Sequence, residues 1–192
     1  PDVRGMKMTL SQILRMENLA FDSEEKIKSL WRVRHQLSDN MISCSYEPHD
    51  FRMFEKNFKL APRFVVPLPK QGGYQTFYVE AQEDIVLFTP LEQVQHSMQM
   101  AQPYLTLQLF PELLQLGKKL VLCRGDIHVG SNFLNKKEAE HLVTMLDKYY
   151  LNPELFVKTA KVFNQEPEKF EFSSVLDDLL LQVQLDEAQR NS

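Results

Sequence analysis

Apolar positions along the chain change period twice. They recur every three or four residues up to Leu60, every second residue through most of the stretch from Phe64 to Arg124, and at helical spacing again from Lys136. Thr9 with Gln12 predicts a capping box, followed by Leu10, Ile13, Leu14, Met16 and Leu19 as a rough stripe. Asp22 with Glu25 opens a second helix by the same logic. Its seam runs through Ile27, Leu30, Trp31, Arg34, Leu37 and Met41, with Trp31 as a core anchor. A third helix is expected from His49 to Leu60, with Phe51, Phe54 and Phe58 on one side.

Strands are expected at Phe64 to Leu68, Tyr74 to Glu80, Asp84 to Thr89, Tyr104 to Phe110 and Lys119 to Arg124. Phe77 and Val79 face one way, and Tyr74, Thr76 and Tyr78 the other. The short loop between the second and third of these strands favours an antiparallel hairpin. Pro67 lacks a ladder donor, which assigns the first of these strands to an edge or a bulge. Between the third and fourth strands, Thr89, Pro90 and Glu92 start a helix that buries Leu91, Val94, Met98 and Ala101. Pro111 to Leu114 forms a helical turn. Asn135, with Glu138 at the reciprocal position, caps a helix from Lys136 to Tyr150. Leu155 to Phe163 and Lys169 to Phe172 read as two further strands. Ser174 with Asp177 caps a last helix through Leu185, carrying Val175, Leu176, Leu179, Leu180, Val183 and Leu185.

These elements predict an α+β fold in a single domain. Its core is a mainly antiparallel twisted sheet of about five to seven strands flanked by helices. Residues 1 to 60 form an amino-terminal helical region and residues 61 to 192 a sheet-and-helix body, the two making one folding unit. The 192 residues and 22.5 kDa suit such a domain.

Charge narrows the function. The formal net charge is -4, with 22 basic and 26 acidic groups, and no track of positive charge suited to a phosphate backbone. Nucleic acid is therefore not expected as a partner. The longest stretch without Lys, Arg, Asp or Glu, Gln93 to Pro111, holds five glutamines and two prolines, so it does not read as a membrane span. Cys44 and Cys123 are the only cysteines; the two could pair, but a reducing compartment is the simpler reading. The chain opens Pro-Asp-Val-Arg and reads as a trimmed or processed product.

Catalytic and cofactor motifs are not apparent. Gly117, Gly125 and Gly130 lack the spacing of a dinucleotide or phosphate loop. Asp126, His128 and Ser131 lie close in sequence and are the one invitation to a hydrolase, but no third metal ligand accompanies them and a single strand does not build a triad. His35, His49, His96 and His141 are scattered. No enzyme activity, cofactor, metal or small-molecule substrate is expected.

An ordered series of segments then resembles the mitochondrial F1-ATPase assembly factors that chaperone the catalytic beta subunit. The series runs Leu10-Ser11-Gln12-Ile13-Leu14, Ile27-Lys28-Ser29-Leu30-Trp31 with His35, and Pro62-Arg63-Phe64-Val65-Val66-Pro67-Leu68-Pro69-Lys70. It continues through Gly73-Tyr74, Phe77-Tyr78, Phe88-Thr89-Pro90-Leu91, Pro103-Tyr104-Leu105 and Glu112-Leu113. It closes with Lys119-Leu120-Val121-Leu122-Cys123-Arg124-Gly125-Asp126, Glu138-Ala139 and Phe163-Asn164. The resemblance spans residues 9 to 180.

That resemblance implies a mitochondrial matrix protein made with a cleaved targeting sequence. It implies transient binding to unassembled F1 beta subunit and release when the alpha subunit arrives, without ATP hydrolysis. A chaperone of this kind needs an exposed apolar patch. Two locations are expected: a less covered sheet face carrying Tyr74, Tyr78, Tyr104 and Phe110, and the last helix at Leu180 and Leu181. The competing readings are a structural or adaptor subunit of a stable complex, and a hydrolase using Asp126 and His128.

Overall fold

The structure, a computed structural model, describes residues 7–180. Six strands form one antiparallel sheet: β1 (Met41–Tyr46), β2 (Arg63–Lys70), β3 (Gly73–Gln82), β4 (Ile85–Pro90), β5 (Leu105–Phe110) and β6 (Val121–Ile127). Their order is β1-β6-β5-β4-β3-β2. β2 to β6 follow one another as a meander. β1 joins on the far side of β6, so the first two strands occupy opposite edges.

The helices begin with α1 (Met16–Leu19) and α2 (Glu24–Gln36). Then α3 (Pro48–Leu60) connects β1 to β2. Its 13 residues rise about 20 Å, close to the roughly 24 Å of five strand spacings. One helix therefore covers most of the distance from one edge to the other, and the residues flanking it supply the rest. α4 (Leu91–His96) and α5 (Glu112–Gln115) sit in the meander, and α6 (Lys136–Leu151), α7 (Pro153–Lys158) and α8 (Ala160–Gln165) follow it. Residues 172–180 form α9.

Alternation along the strands makes two apolar faces. Phe64, Val66, Phe77, Phe88, Leu107 and Cys123 belong to the larger core, which α3 and α6 complete with Phe54, Phe58, Tyr149 and Tyr150. Phe64 is its hub, with the rings of Tyr149, Tyr150, Phe163 and Phe170 at centroid distances of 5.2 to 6.3 Å. The polar ends of this layer are satisfied: Tyr150 Oη donates to the Ala61 carbonyl at 2.8 Å, and Asn57 Nδ2 to the Tyr150 carbonyl at 2.7 Å.

The opposite face is closed at its β5–β6 end by the amino-terminal segment. Leu10, Ile13, Leu19, Ile27 and Trp31 pack on Phe110, Leu113, Leu120 and Leu122. Trp31 is buried, stacks edge-on to Phe110 at 5.7 Å, and donates from Nε1 to the Cys123 carbonyl at 2.8 Å. His35 Nδ1 lies 2.7 Å from the Trp31 carbonyl, which only accepts, so that nitrogen carries the proton. Burial lowers the His35 pKa and favours the neutral ring.

The expected capping of α6 is present: Asn135 Oδ1 accepts from Glu138 N at 3.0 Å, and Glu138 Oε2 accepts from Asn135 N at 2.9 Å. β2 lies at an edge, one of the two placements expected from Pro67. Other elements differ. The second helix is capped by Ser23 and stops at Gln36, and Met41 begins a strand that periodicity did not reveal. Short Ser43, Cys44 and Ser45 give that strand little apolar contrast between its faces. Leu155 to Phe163 is helical, because Asn152 Oδ1 takes the amides of Glu154 and Leu155 and Pro153 occupies the first turn. Lys169 to Phe172 is not a strand either: it spans the end of a 3-10 turn, Pro167–Lys169, and the start of α9. α4 ends at His96, buries none of its own residues, and leaves Met98 exposed. Ser174 lies inside α9 rather than capping it.

Gly125 shows how tightly the sheet is filled. A Cβ there would meet Ile42 Cγ1 at 2.5 Å and Leu107 Cδ2 at 2.9 Å. Those residues flank Gly125 on β1 and β5. Gly125→Ala is expected to lower unfolding free energy by about 1–3 kcal/mol through overpacking. Trp31→Ala is expected to cost about 3–5 kcal/mol. Urea denaturation of the two variants checks both values.

Candidate functional site

The residues that invited a hydrolase reading are occupied elsewhere. Asp126 Oδ1 accepts from Arg124 Nε at 3.0 Å and Nη2 at 2.6 Å. His128 Nε2 lies 2.8 Å from Thr106 Oγ1. Asp126 and His128 therefore form no acid–histidine relay, and Ser131 is exposed beyond the end of β6. Among the described residues, no group of three or more His, Cys, Asp or Glu could hold a metal ion. Among the same residues, no helix is long and apolar enough to cross a membrane.

A buried polar cluster lies between β1, β6 and α6. Cys44 and Cys123 are free thiols directly opposite each other across the two strands. The hydrogen bond between them and burial hold the Cys123 pKa well above the ordinary thiol range, so it stays a thiol and not a reactive thiolate. Tyr46 Oη donates to Asp147 Oδ1 at 2.9 Å. Burial raises the Asp147 pKa to about 7, with the Tyr46 hydrogen bond opposing the rise.

The expected partner residues do not share one patch. Phe110 is sealed in the core under Trp31, because the amino-terminal helices cover its end of the sheet. The expectation that it faces a partner is corrected on that ground. Tyr104 precedes β5 and turns its ring toward Phe77 and Phe133, at 6.1 Å from each, while its hydroxyl accepts from Gln93 Nε2. Tyr78 is half-buried beside Val65 and Thr89 of the neighbouring strands. Leu181 lies outside the described residues.

Tyr74 and Leu180, expected from the sequence at two separate locations, belong to one apolar stripe. Tyr74, 48% exposed, lies against the Phe172 ring at 6.3 Å. Phe172, Leu176 and Leu180 then follow one another at single-turn spacing along α9. Val175 and Leu179, on the adjoining face, are buried. The helix thus commits one apolar row to the core and leaves a second, half-exposed row outward, with Leu180 51% exposed. The signal was present in the broad apolar arc of 175 to 185. The contact with Tyr74 was hidden by a separation of nearly a hundred residues.

Two further surfaces depart from an ordinary polar exterior. Phe21 and Leu30 border a cleft of about 660 Å³ between the first helices and α2. Met53, Leu60, Phe156 and Val157 floor a groove of about 420 Å³ between α3 and α7, rimmed by Arg52, Lys56 and Lys161.

Comparison with known proteins places this arrangement in context. The ATP11 protein family matches residues 4–176. Three relatives, each named ATP synthase mitochondrial F1 complex assembly factor 1, align over 172 residues, or 89% of this chain. Those from Mus musculus and Homo sapiens are 26% identical, and that from Danio rerio is 27% identical. The chain spans about half the length of these relatives, covering 52%, 51% and 56% of them respectively.

The Asp147 cluster yields a pH dependence. Unfolded, this carboxyl loses its proton near its ordinary 3.8; folded, it does so near 7. Between those values the folded state binds more protons, so this residue's contribution to stability falls as pH rises. Asp147→Asn keeps an acceptor for Tyr46 and removes the titration. The variant is expected to show a smaller loss of stability from pH 4 to pH 7, the difference being on the order of 1–4 kcal/mol. Denaturant melts of both proteins across that range measure it.

Proposed function

The chain belongs to the ATP11 protein family, and on that premise we propose that it is a chaperone for assembly of the F1 sector of mitochondrial ATP synthase. It binds the unassembled catalytic beta subunit, keeps it from aggregating and gives it up to the alpha subunit. The observation that carries this reading is the family match across residues 4–176, joined by relatives that bear the assembly-factor name. In this reading the protein works in the mitochondrial matrix, binds no nucleic acid or small-molecule substrate, does not insert into the membrane, and catalyses no reaction. Residues 1–60 and 61–192 fold as one unit, a reading supported by the docking of Trp31 beneath β6.

The physics of the task is a competition between interfaces. A subunit awaiting permanent neighbours exposes surface that will later be buried, and such surface is more apolar than an ordinary exterior. A matched apolar row with a polar rim can cover it. Tyr74, Phe172, Leu176 and Leu180 form such a row, with Ser173 and Asp177 exposed beside them on α9. The row is small, so the complex is weak enough to yield to the more extensive alpha–beta interface. Exchange then runs downhill without nucleotide turnover.

Isolated beta subunit provides the test. Wild-type protein at equimolar ratio is expected to suppress its aggregation, read by light scattering, and to be absent from the assembled enzyme. A Tyr74→Ser, Leu180→Ser double variant loses two half-exposed apolar contacts and is expected to bind about 10- to 30-fold more weakly. Its melting temperature should stay near that of the wild type. Failure to recover beta subunit from matrix extract under any nucleotide condition would overturn the reading.

A further inference from the structure

The two edges of the sheet are finished differently. Register fixes which backbone groups point outward. On β2, Ala81 N donates to the Pro62 carbonyl, so Phe64, Val66, Leu68 and Lys70 direct their backbone groups to β3. Arg63, Val65, Pro67 and Pro69 point theirs away. Both prolines therefore stand where a free N–H would otherwise project. The two outward groups of Arg63 are taken by Asn164, whose Oδ1 accepts from Arg63 N while Nδ2 donates to the Arg63 carbonyl. Val65 alone keeps an outward N–H.

On β1, Ile127 N donates to the Asn40 carbonyl, so Ile42, Cys44 and Tyr46 bond toward β6. Met41, Ser43 and Ser45 point three N–H and three C=O groups outward, and none of these has a hydrogen-bond partner among the described residues. The strand carries no proline, no charge and no bulky group at Ser43 or Ser45, so it lacks the usual devices that block strand addition.

We propose that the open edge of β1 receives an extended segment of the client polypeptide as a seventh strand. The inference rests on the chaperone reading and deepens it. Alternating donors and acceptors at strand spacing are matched by extended backbone, the chemistry of strand addition. A second copy of this chain is a poor occupant. Two β1 strands related by a two-fold axis at Ser43 would set Asp39 of each against Glu47 of the other. Asp39 and Glu47 are both exposed, and neither pairs with a cation among the described residues. The same two carboxylates favour an entering segment with basic residues flanking its small or apolar core. Leu37, 88% exposed at the start of this edge, offers apolar contact to its side chains. Closure of the β2 edge limits addition to one side, so client capture does not propagate into a fibre.

The test is backbone hydrogen exchange of the full chain with and without isolated F1 beta subunit. The amides of Met41, Ser43 and Ser45 are expected to slow at least tenfold in the complex, while that of Val65 is unchanged. Ser43→Pro, which removes an outward donor unused in the β1–β6 ladder, should weaken beta-subunit binding at least tenfold; Val65→Pro, at the opposite edge, should not. If the wild type leaves beta subunit unbound, the chaperone reading fails and this proposal with it. If it binds and the three β1 amides keep their free-state rates, the edge proposal alone is overturned, and this holds whether or not Ser43→Pro folds. Concentration-dependent dimerisation that protects the same amides, seen by sedimentation, would also overturn it.

Discussion

The architecture depends on the need to cover both faces of a single sheet whose strands are apolar on each side. One layer of helices cannot do this. The larger core uses α3 and α6 on one face, and the amino-terminal segment closes the β5–β6 end of the other. Trp31 joins the second layer to the sheet through both packing and a hydrogen bond to β6 backbone. Gly125 reflects the same constraint from within the sheet, where Ile42 and Leu107 fill the space that a side chain would need. The two surfaces proposed for client contact accordingly lie at the margins of these layers: the stripe along α9 and the edge of β1.

Much of this was legible from residue order. The five strand segments between Phe64 and Arg124 followed from period-two alternation broken by Pro, Gly and Gln, though their order did not, and Pro67 assigned the first of them to an edge or a bulge before any pairing was known. Asn135 with Glu138 located the start of α6 because a capping box is a local chemical arrangement. What failed had two causes, a distant partner in one case and a local cap in the other. Met41–Tyr46 has a weak strand signal and becomes β1 by pairing with Val121–Ile127. The segment from Leu155 to Phe163 has strand-like composition, yet Asn152 and Pro153 begin a helix whose Phe156 enters the core. Local capping there prevails over β propensity.

The proposed binding surface was less legible than the fold. Alternation groups Tyr74, Tyr78, Tyr104 and Phe110 only if the strand is regular and its face uncovered. Phe110 is covered by α2, and Tyr104 precedes the regular part of β5. Conversely, Tyr74 meets Phe172 through folding alone. An apolar residue announces that it will be buried against something; it does not announce whether that is its own chain or another.

The pairing of β1 with β6 has a consequence for how the molecule comes into being. During synthesis from the amino terminus, β1 emerges well before β6, its one ladder neighbour among the described residues, and α3 and strands β2 to β5 must pass before Val121–Ile127 arrives to take it. Long loop closure of this kind is slow to nucleate, and unpaired strands are adhesive while they wait. The protein thus has an orphan strand of its own for part of its life. Its maturation ends when the second-emerging half of the chain folds back to claim the first.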